Sequence, residues 1–215
     1  FKISNLPLQR IEWVGPSRIF AFGCDYRDRF TNRFYVLDLK TKMVYPILEK
    51  RLSQLNMPVT NISINSTKKI ACIILDDTLV HFVSLTSTPP SIIGSLNFTS
   101  TAYASFSGDG TRAAIISNNT CYMTDIIDPK ESNVKIKESY PFDFKHKVTA
   151  FYLKRGVLVI GFEDGKVILH NLTNSKSDEI MSIKTPIKSI CDFEGSQTQM
   201  VVTDIKNNTY IVSHK

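Results

Sequence analysis

Apolar and polar positions alternate with a period of two along most of this chain, in short runs that close on Asn, Asp or Gly. Such runs predict half-buried β-strands joined by tight turns. The stretch at residues 162–172, FEDGKVILHNL, shows the unit: an apolar residue, an Asp-Gly turn, then a strand that ends on Asn171 and Leu172. The same pattern recurs in VTNISINSTKKIACIILDDTLVHFVSL from Val59, TAYASFSGDGTRAAIISNNTCYMTDI from Thr101, VTAFYLKRGVLVIGFEDGKVILHNL from Val148 and IKSICDFEGSQTQMVVTDIKNNTYIVS from Ile187. These starts keep a nearly constant spacing. Each unit reads strand, turn, strand, polar turn, strand. The second turns are Asp76-Asp77, Asn118-Asn119, Asp164-Gly165 and Asn207-Asn208, residue types that supply the positive backbone angles of tight hairpins. A fifth, less regular copy stands first, with strands at residues 10–14 and 19–23, a Gly15-Pro16 turn, and NRFYVLDL as its third strand. Its second hairpin is lengthened by a polar loop at residues 25–31.

A period of roughly 40 residues in strand-turn units predicts propeller blades. One four-stranded sheet cannot bury both faces alone, and radial stacking gives each blade two dry flanks. The chain therefore reads as all-β: a β-propeller of four-stranded antiparallel blades over residues 1–215, about five of them, near 8–50, 58–96, 101–143, 146–184 and 187–215. The five are expected to be part of a larger ring, or else a small ring closes with residues 1–5 completing the last sheet. Phe1 in place of an initiating Met gives the further expectation of a fragment. The segment ILEKRLSQL at residues 47–55 has helical spacing and predicts at most a short helix. Trp13, on the first strand of its unit, is expected to be buried between blades.

FSGDGTRAAII, DGKVILHNL, SNNTCYMTDI and NRFYVLDL resemble the first hairpin and third strand of the WD-repeat family of β-propellers. More narrowly, W-x-G-x-S-R-I, NRFYVLDL and a Pro-Val-initiated blade are similar to a large WD-repeat scaffold of Golgi vesicle capture. The Trp-Asp pair of the family is replaced by Leu37-Asp38, Val83-Ser84, Thr124-Asp125 and His170-Asn171, and no Gly-His dipeptide stands in the connections. The resemblance implies a propeller without the buried His/Asp network that stiffens regular blades. It also implies a non-catalytic protein-interaction scaffold in a multisubunit assembly of vesicle trafficking, in the cytoplasm and associated with Golgi or endosomes.

Composition changes this picture little. Hydrophobic residues at 42% and charged residues at 21% predict a folded globular chain. Cys24, Cys72, Cys121 and Cys191 stand far apart in the sequence with no C-x-x-C, so they form no metal or redox motif and read as small buried apolar residues. Six Asn-x-Ser/Thr patterns are what an Asn-, Ser- and Thr-rich chain generates, and several fall inside predicted strands. His81, His146, His170 and His214 are dispersed, and no nucleophile elbow, phosphate loop or zinc motif occurs. No enzyme, metal or cofactor is expected; Asp76, Asp77, Asp125 and Asp128 read as turn carboxylates.

The net charge of +6 has a consequence for partners. Basic residues gather at Arg27, Arg29 and Arg33, at Lys68-Lys69, and at Lys135, Lys137, Lys145 and Lys147, an excess that steers association with polyanions. The alternative function is accordingly an RNA-associated propeller of a nuclear or ribosome-assembly complex. Protein subunits are the preferred partners, with membrane association through them, since no run approaches the roughly 18 apolar residues of a spanning helix. The two long departures from the blade period, at residues 25–31 and 128–144, carry Arg27, Arg29, Phe30, Tyr140 and Phe142, the expected partner-contacting residues.

Overall fold

In a computed structural model the described residues are 8–25, 31–47, 57–65, 67–100, 102–107, 109–118, 120–126, 134–141, 146–154, 156–193, 196 and 198–213. They form nineteen strands, β1 to β19, and no helix. The strands make five antiparallel sheets in chain order, each a meander in which neighbours in sequence pair. Blade 1 holds β1 (Leu8–Trp13), β2 (Arg18–Asp25), β3 (Thr31–Asp38) and β4 (Met43–Pro46). Blade 2 holds β5 (Val59–Asn65), β6 (Ile70–Leu75), β7 (Leu79–Ser84) and β8 (Ser91–Asn97). Blade 3 holds β9 (Ala102–Phe106), β10 (Arg112–Ser117), β11 (Thr120–Asp125) and β12 (Ile136–Pro141). Blade 4 holds β13 (Val148–Lys154), β14 (Val157–Phe162), β15 (Lys166–Asn171) and β16 (Ser177–Ser182). Blade 5 shows three strands among the described residues: β17 (Ile187–Asp192), β18 (Gln199–Asp204) and β19 (Thr209–Ser213).

The turns are where the Asn, Asp and Gly residues placed them. Asp76, Asp77, Asn118, Gly165 and Asn207 all have positive φ in the second hairpin of their blade, and Gly15, Gly110 and Gly156 do so in the first. Side chains finish these turns. The Oδ1 of Asp38 accepts from the Lys40 and Thr41 N–H groups at 2.9 and 3.2 Å. That of Asp204 accepts from Lys206 and Asn208, both at 2.9 Å. Turn chemistry thus fixes hairpin register locally, before any blade meets its neighbour.

Stacking then consumes both faces of the middle strands. Period 2 sends alternate residues of β10 to opposite sides: Ala113 and Ile115 join Cys72, Ile74 and Phe82 of blade 2, while Ala114 and Ile116 join Leu153, Leu158 and Ile160 of blade 4. Likewise Val159 of β14 packs with Met200 and Val202 of blade 5. Val14, Phe20, Phe34 and Val36 of blade 1 pack with Ile73, Leu75 and Val83 of blade 2. Strands buried on both faces read as nearly continuous apolar runs, which explains IACIIL and VLVIGF.

Polar keys reinforce these seams. Arg18 reaches from blade 1 to donate to the Leu85 carbonyl at 2.8 Å, and the buried Asn65 Nδ2 donates to the Gly110 carbonyl at 2.7 Å. Between blades 4 and 5, Tyr152 donates to Asp192 at 2.7 Å and Lys154 pairs with the same carboxylate at 2.7 Å.

Two expectations are corrected. Trp13 is 60% exposed, not buried, because no described blade packs on its side of β1. Cys191 is exposed while Cys72 and Cys121 are buried, because it sits on the outer flank of the last sheet. The expected helix at residues 47–55 lies outside the described residues apart from Ile47, as does closure by residues 1–5.

Candidate protein-interaction surfaces

The five innermost strands surround a channel of about 620 Å³. Its wall carries Arg10 and Glu12 of β1, Asn61 and Ser63 of β5, Tyr103 of β9, Thr149 of β13 and Lys188 of β17. Polar residues line it because the inner strand of each blade turns one edge to water while its apolar residues enter the seams. The charges are largely spent internally: Arg10 Nε lies 3.0 Å from Glu12 Oε1, and Lys188 donates to Asn207 at 2.7 Å.

Ionisable groups with displaced titration are tied to turns and seams. For Asp204, burial pushes the carboxyl up, but hydrogen bonds from the Asn208 side chain, the Thr185 hydroxyl and the backbone N–H groups of Asn208 and Lys206 outweigh it, bringing the pKa to about 2. Thr185 Oγ1 donates to Asp204 Oδ2 at 2.8 Å, so blade 5 carries a buried side-chain network of its own. Asp109 is lowered by the Ser107 hydroxyl and by Thr111. Backbone donation from Thr41 lowers Asp38 against the cost of burial, with Lys40 and Arg18 adding to it. Burial pushes the Cys121 thiol up to about 12 and raises Cys72 further. Burial also raises Tyr152, assisted by Asp192. His170, lowered by burial, keeps its Nδ1 2.8 Å from Ser177 Oγ across the third and fourth strands of its blade. His81 and Ser95 repeat that pair in blade 2 at 2.7 Å. Among the described residues no group of three His, Cys, Asp or Glu side chains is placed to hold a metal ion, and no helix is long and apolar enough to cross a membrane.

Of the expected contact residues, Arg27, Arg29, Phe30 and Phe142 lie outside the described residues. Tyr140 is half-buried on β12, the outer strand of blade 3, where its ring packs on the apolar seam with blade 4. Its hydroxyl donates to Glu138 at 2.7 Å, which raises its pKa. Arg112 spans Asp125 and Glu138 at 3.4 and 3.8 Å beside it. The exposed Lys135 and Lys137 lie on or next to this outer strand. Blade 3 therefore presents an edge with an anchored aromatic and mixed charge. Sequence reasoning missed a second surface, the outward flanks of the first and last blades, where Ile11, Trp13 and Ile211 are exposed. Their alternation looked like that of any buried strand, and only the position of the neighbouring sheets distinguishes them.

No family model and no curated protein matches the chain in sequence. Solved structures do match in fold. The β-propeller domain of Cps50 (Swd1) from Myceliophteria thermophila aligns with a TM-score of 0.72 at 8% identity, over 99% of this chain and 71% of that one. A chain of the mitotic checkpoint complex aligns with a TM-score of 0.66 at 15% identity, over 98% of this chain and 62% of that one. At these identities the likeness establishes the propeller fold.

Proposed function

We propose that the protein is a non-catalytic scaffold that binds other protein subunits within a multisubunit assembly. The observation that carries this reading is the use made of its ionisable groups. The carboxylates displaced downward, Asp38, Asp109 and Asp204, are bound to the N–H groups of their own turns and hold hairpins in shape. The faces of the middle strands are consumed by stacking, so rims, loops and outer edges carry recognition. The comparison chain from the mitotic checkpoint complex is by its description a member of an assembly, which accords with this reading.

Within it, we assign the partner contacts to Arg27, Arg29, Phe30, Tyr140 and Phe142, and the assembly to vesicle trafficking on the cytoplasmic side of Golgi or endosomal membranes. The support is the resemblance of W-x-G-x-S-R-I and NRFYVLDL to a vesicle-capture scaffold and the joining of Arg and aromatic residues at those positions. Pull-down from cell extract tests it. Arg27→Glu/Arg29→Glu should leave the melting behaviour within the roughly ±0.5 kcal/mol of ordinary surface changes and reduce recovery of the native partners. Recovery of the same proteins in the same amounts by both forms would sink the assignment.

The net charge of +6 favours a second reading, a nuclear RNA-associated subunit. An RNA titration at several salt concentrations separates the two: affinity that falls steeply with salt supports the RNA reading, because neutralised phosphates release counterions.

A further inference from the structure

In an antiparallel meander the first and third turns of a blade lie at one end and the second turn at the other. The first-and-third-turn end of blades 1 and 2 is therefore built from the connections around residues 14–17, 39–42, 67–69 and 85–90. Hydrogen bonds tie these turns into one rim. The Leu39 N–H donates to the Ser17 carbonyl at 2.8 Å, and the Leu85 N–H donates to the Lys69 carbonyl at 2.8 Å. Arg18 crosses the seam between the blades to the Leu85 and Thr86 carbonyls at 2.8 and 3.2 Å. The rim carries Lys40, Lys42, Lys68 and Lys69 and no acidic residue in those turns, whereas the opposite end of blade 2 carries Asp76 and Asp77. Asp38, at the end of β3, is taken by Arg18 and by the Lys40 and Thr41 N–H groups. Among the described residues none of the four lysines pairs with a carboxylate. Turn chemistry does not account for them either: Lys42 and Lys69 sit at φ 57° and 54°, where Gly, Asn or Asp costs less. Beside Lys42, the apolar Met43 is 52% exposed.

We propose that this rim docks directly on an anionic lipid bilayer, with the four lysines meeting acidic headgroups and Met43 entering the headgroup layer. Lysine is a hydrated point charge on a flexible stem, suited to a diffuse sheet of negative charge. A phosphopeptide or a nucleic acid is gripped best by a guanidinium fork, and the arginine of this rim is already committed to Asp38 and to two carbonyls. An exposed apolar side chain at the level of the charges adds contact that a membrane interface favours and a phosphate backbone does not. The docking face is independent of the protein-partner contacts assigned above, so vesicle binding and partner recovery can fail separately.

Vesicle flotation tests the proposal. The protein is expected to float with phosphatidylcholine vesicles that contain phosphatidylserine, to stay behind with phosphatidylcholine alone, and to be released by salt, which screens the charges. Lys40→Glu/Lys42→Glu/Lys68→Glu should lower the partition coefficient roughly a hundredfold, at about fivefold for each lysine, and leave the melting temperature unchanged. Lys69 is kept, because its Cε lies 3.7 Å from where a Cβ on Gly15 would stand and its stem covers that turn. Lys147→Glu/Lys184→Glu/Lys206→Glu makes the same change in net charge at the opposite end of blades 4 and 5 and should lose far less. Equal loss in the two variants would show that net charge alone acts and would overturn the proposal. A second readout needs no variant. Hydroxyl-radical oxidation of Met43 should drop on phosphatidylserine vesicles, while that of Ile205, 56% exposed in the turn between β18 and β19, stays the same. Unchanged oxidation of Met43 on vesicles that bind the protein refutes this docking face. Protection of Met43 by polyuridine RNA or by polyglutamate, and not by vesicles, reassigns the rim to a nucleic acid or an acidic protein and refutes it as well.

Discussion

Asp204 and His170 place two titrations in the stability of the fold, with opposite chemistry and the same direction in pH. The Asp204 carboxylate is held at about 2 by its neighbouring donors, below the usual value near 3.9 of an unfolded chain. Its contribution is present above that unfolded value and is lost as pH falls toward 2. Asp204→Asn should therefore melt several degrees below the wild type at neutral pH, with the gap narrowing below about pH 4. Circular dichroism melts across pH would show it, and a gap independent of pH would remove the charge from the explanation. His170 is a base whose pKa burial lowers, so the folded state keeps it neutral. The unfolded imidazole takes its proton near 6.5, hence stability is fully present above about 6.5 and is lost as pH drops through the lowered folded value. His170→Asn should flatten the slope of melting temperature against pH just below about 6.5. An unchanged slope would assign that titration elsewhere.

At the scale of strands and blades, seams are set by close approach as much as by apolar area. A Cβ on Gly161 would lie 2.6 Å from Ile187 Cγ2 and 2.8 Å from its Cβ, so β14 and β17 meet only because that position is bare. Gly161→Ala should cost about 1–3 kcal/mol through overpacking. Gly156, at φ +80° with open space around it, provides a control: Gly156→Asn, a residue that tolerates this conformation, should cost less. Urea melts of the two variants compare them, and the reverse order would contradict the seam argument. Much of this level was legible beforehand. Asp76, Asn118, Gly165 and Asn207 fell in the turns that their chemistry predicts, because a hairpin of two residues is decided locally. Trp13 was misread because burial of an inner strand is decided by another blade, which no local pattern reports. Of the candidate contact residues only Tyr140 falls in a described strand, and its bond to Glu138 joins positions two apart that alternation places on one face.

Across the whole molecule, cooperativity should be graded. Blades 2, 3 and 4 have neighbours on both sides, whereas blades 1 and 5 each have one packed face among the described residues. In a stacked array stability is close to a sum of unit and interface terms, so end units open first. Hydrogen exchange followed by mass spectrometry should find the slowest amides in β6, β10 and β14 and faster exchange in β18 and β19. Uniform protection across all five blades would mean that the ends are tied by something beyond the described contacts.

The outermost described strand of blade 5, β19, has the sequence TYIVS, with no Lys, no Pro and no charge. Natural sheets commonly blunt an outer edge with such residues, because a row of unpaired N–H and C=O groups templates the next strand it meets. In concentrated solution of the isolated chain, that row and the bare Ile211 beside it offer a path to strand-on-strand polymerisation. Shelf life and crystallisability of the chain thus hinge on one short strand, and Ile211→Lys is the change that would lengthen the one and ease the other.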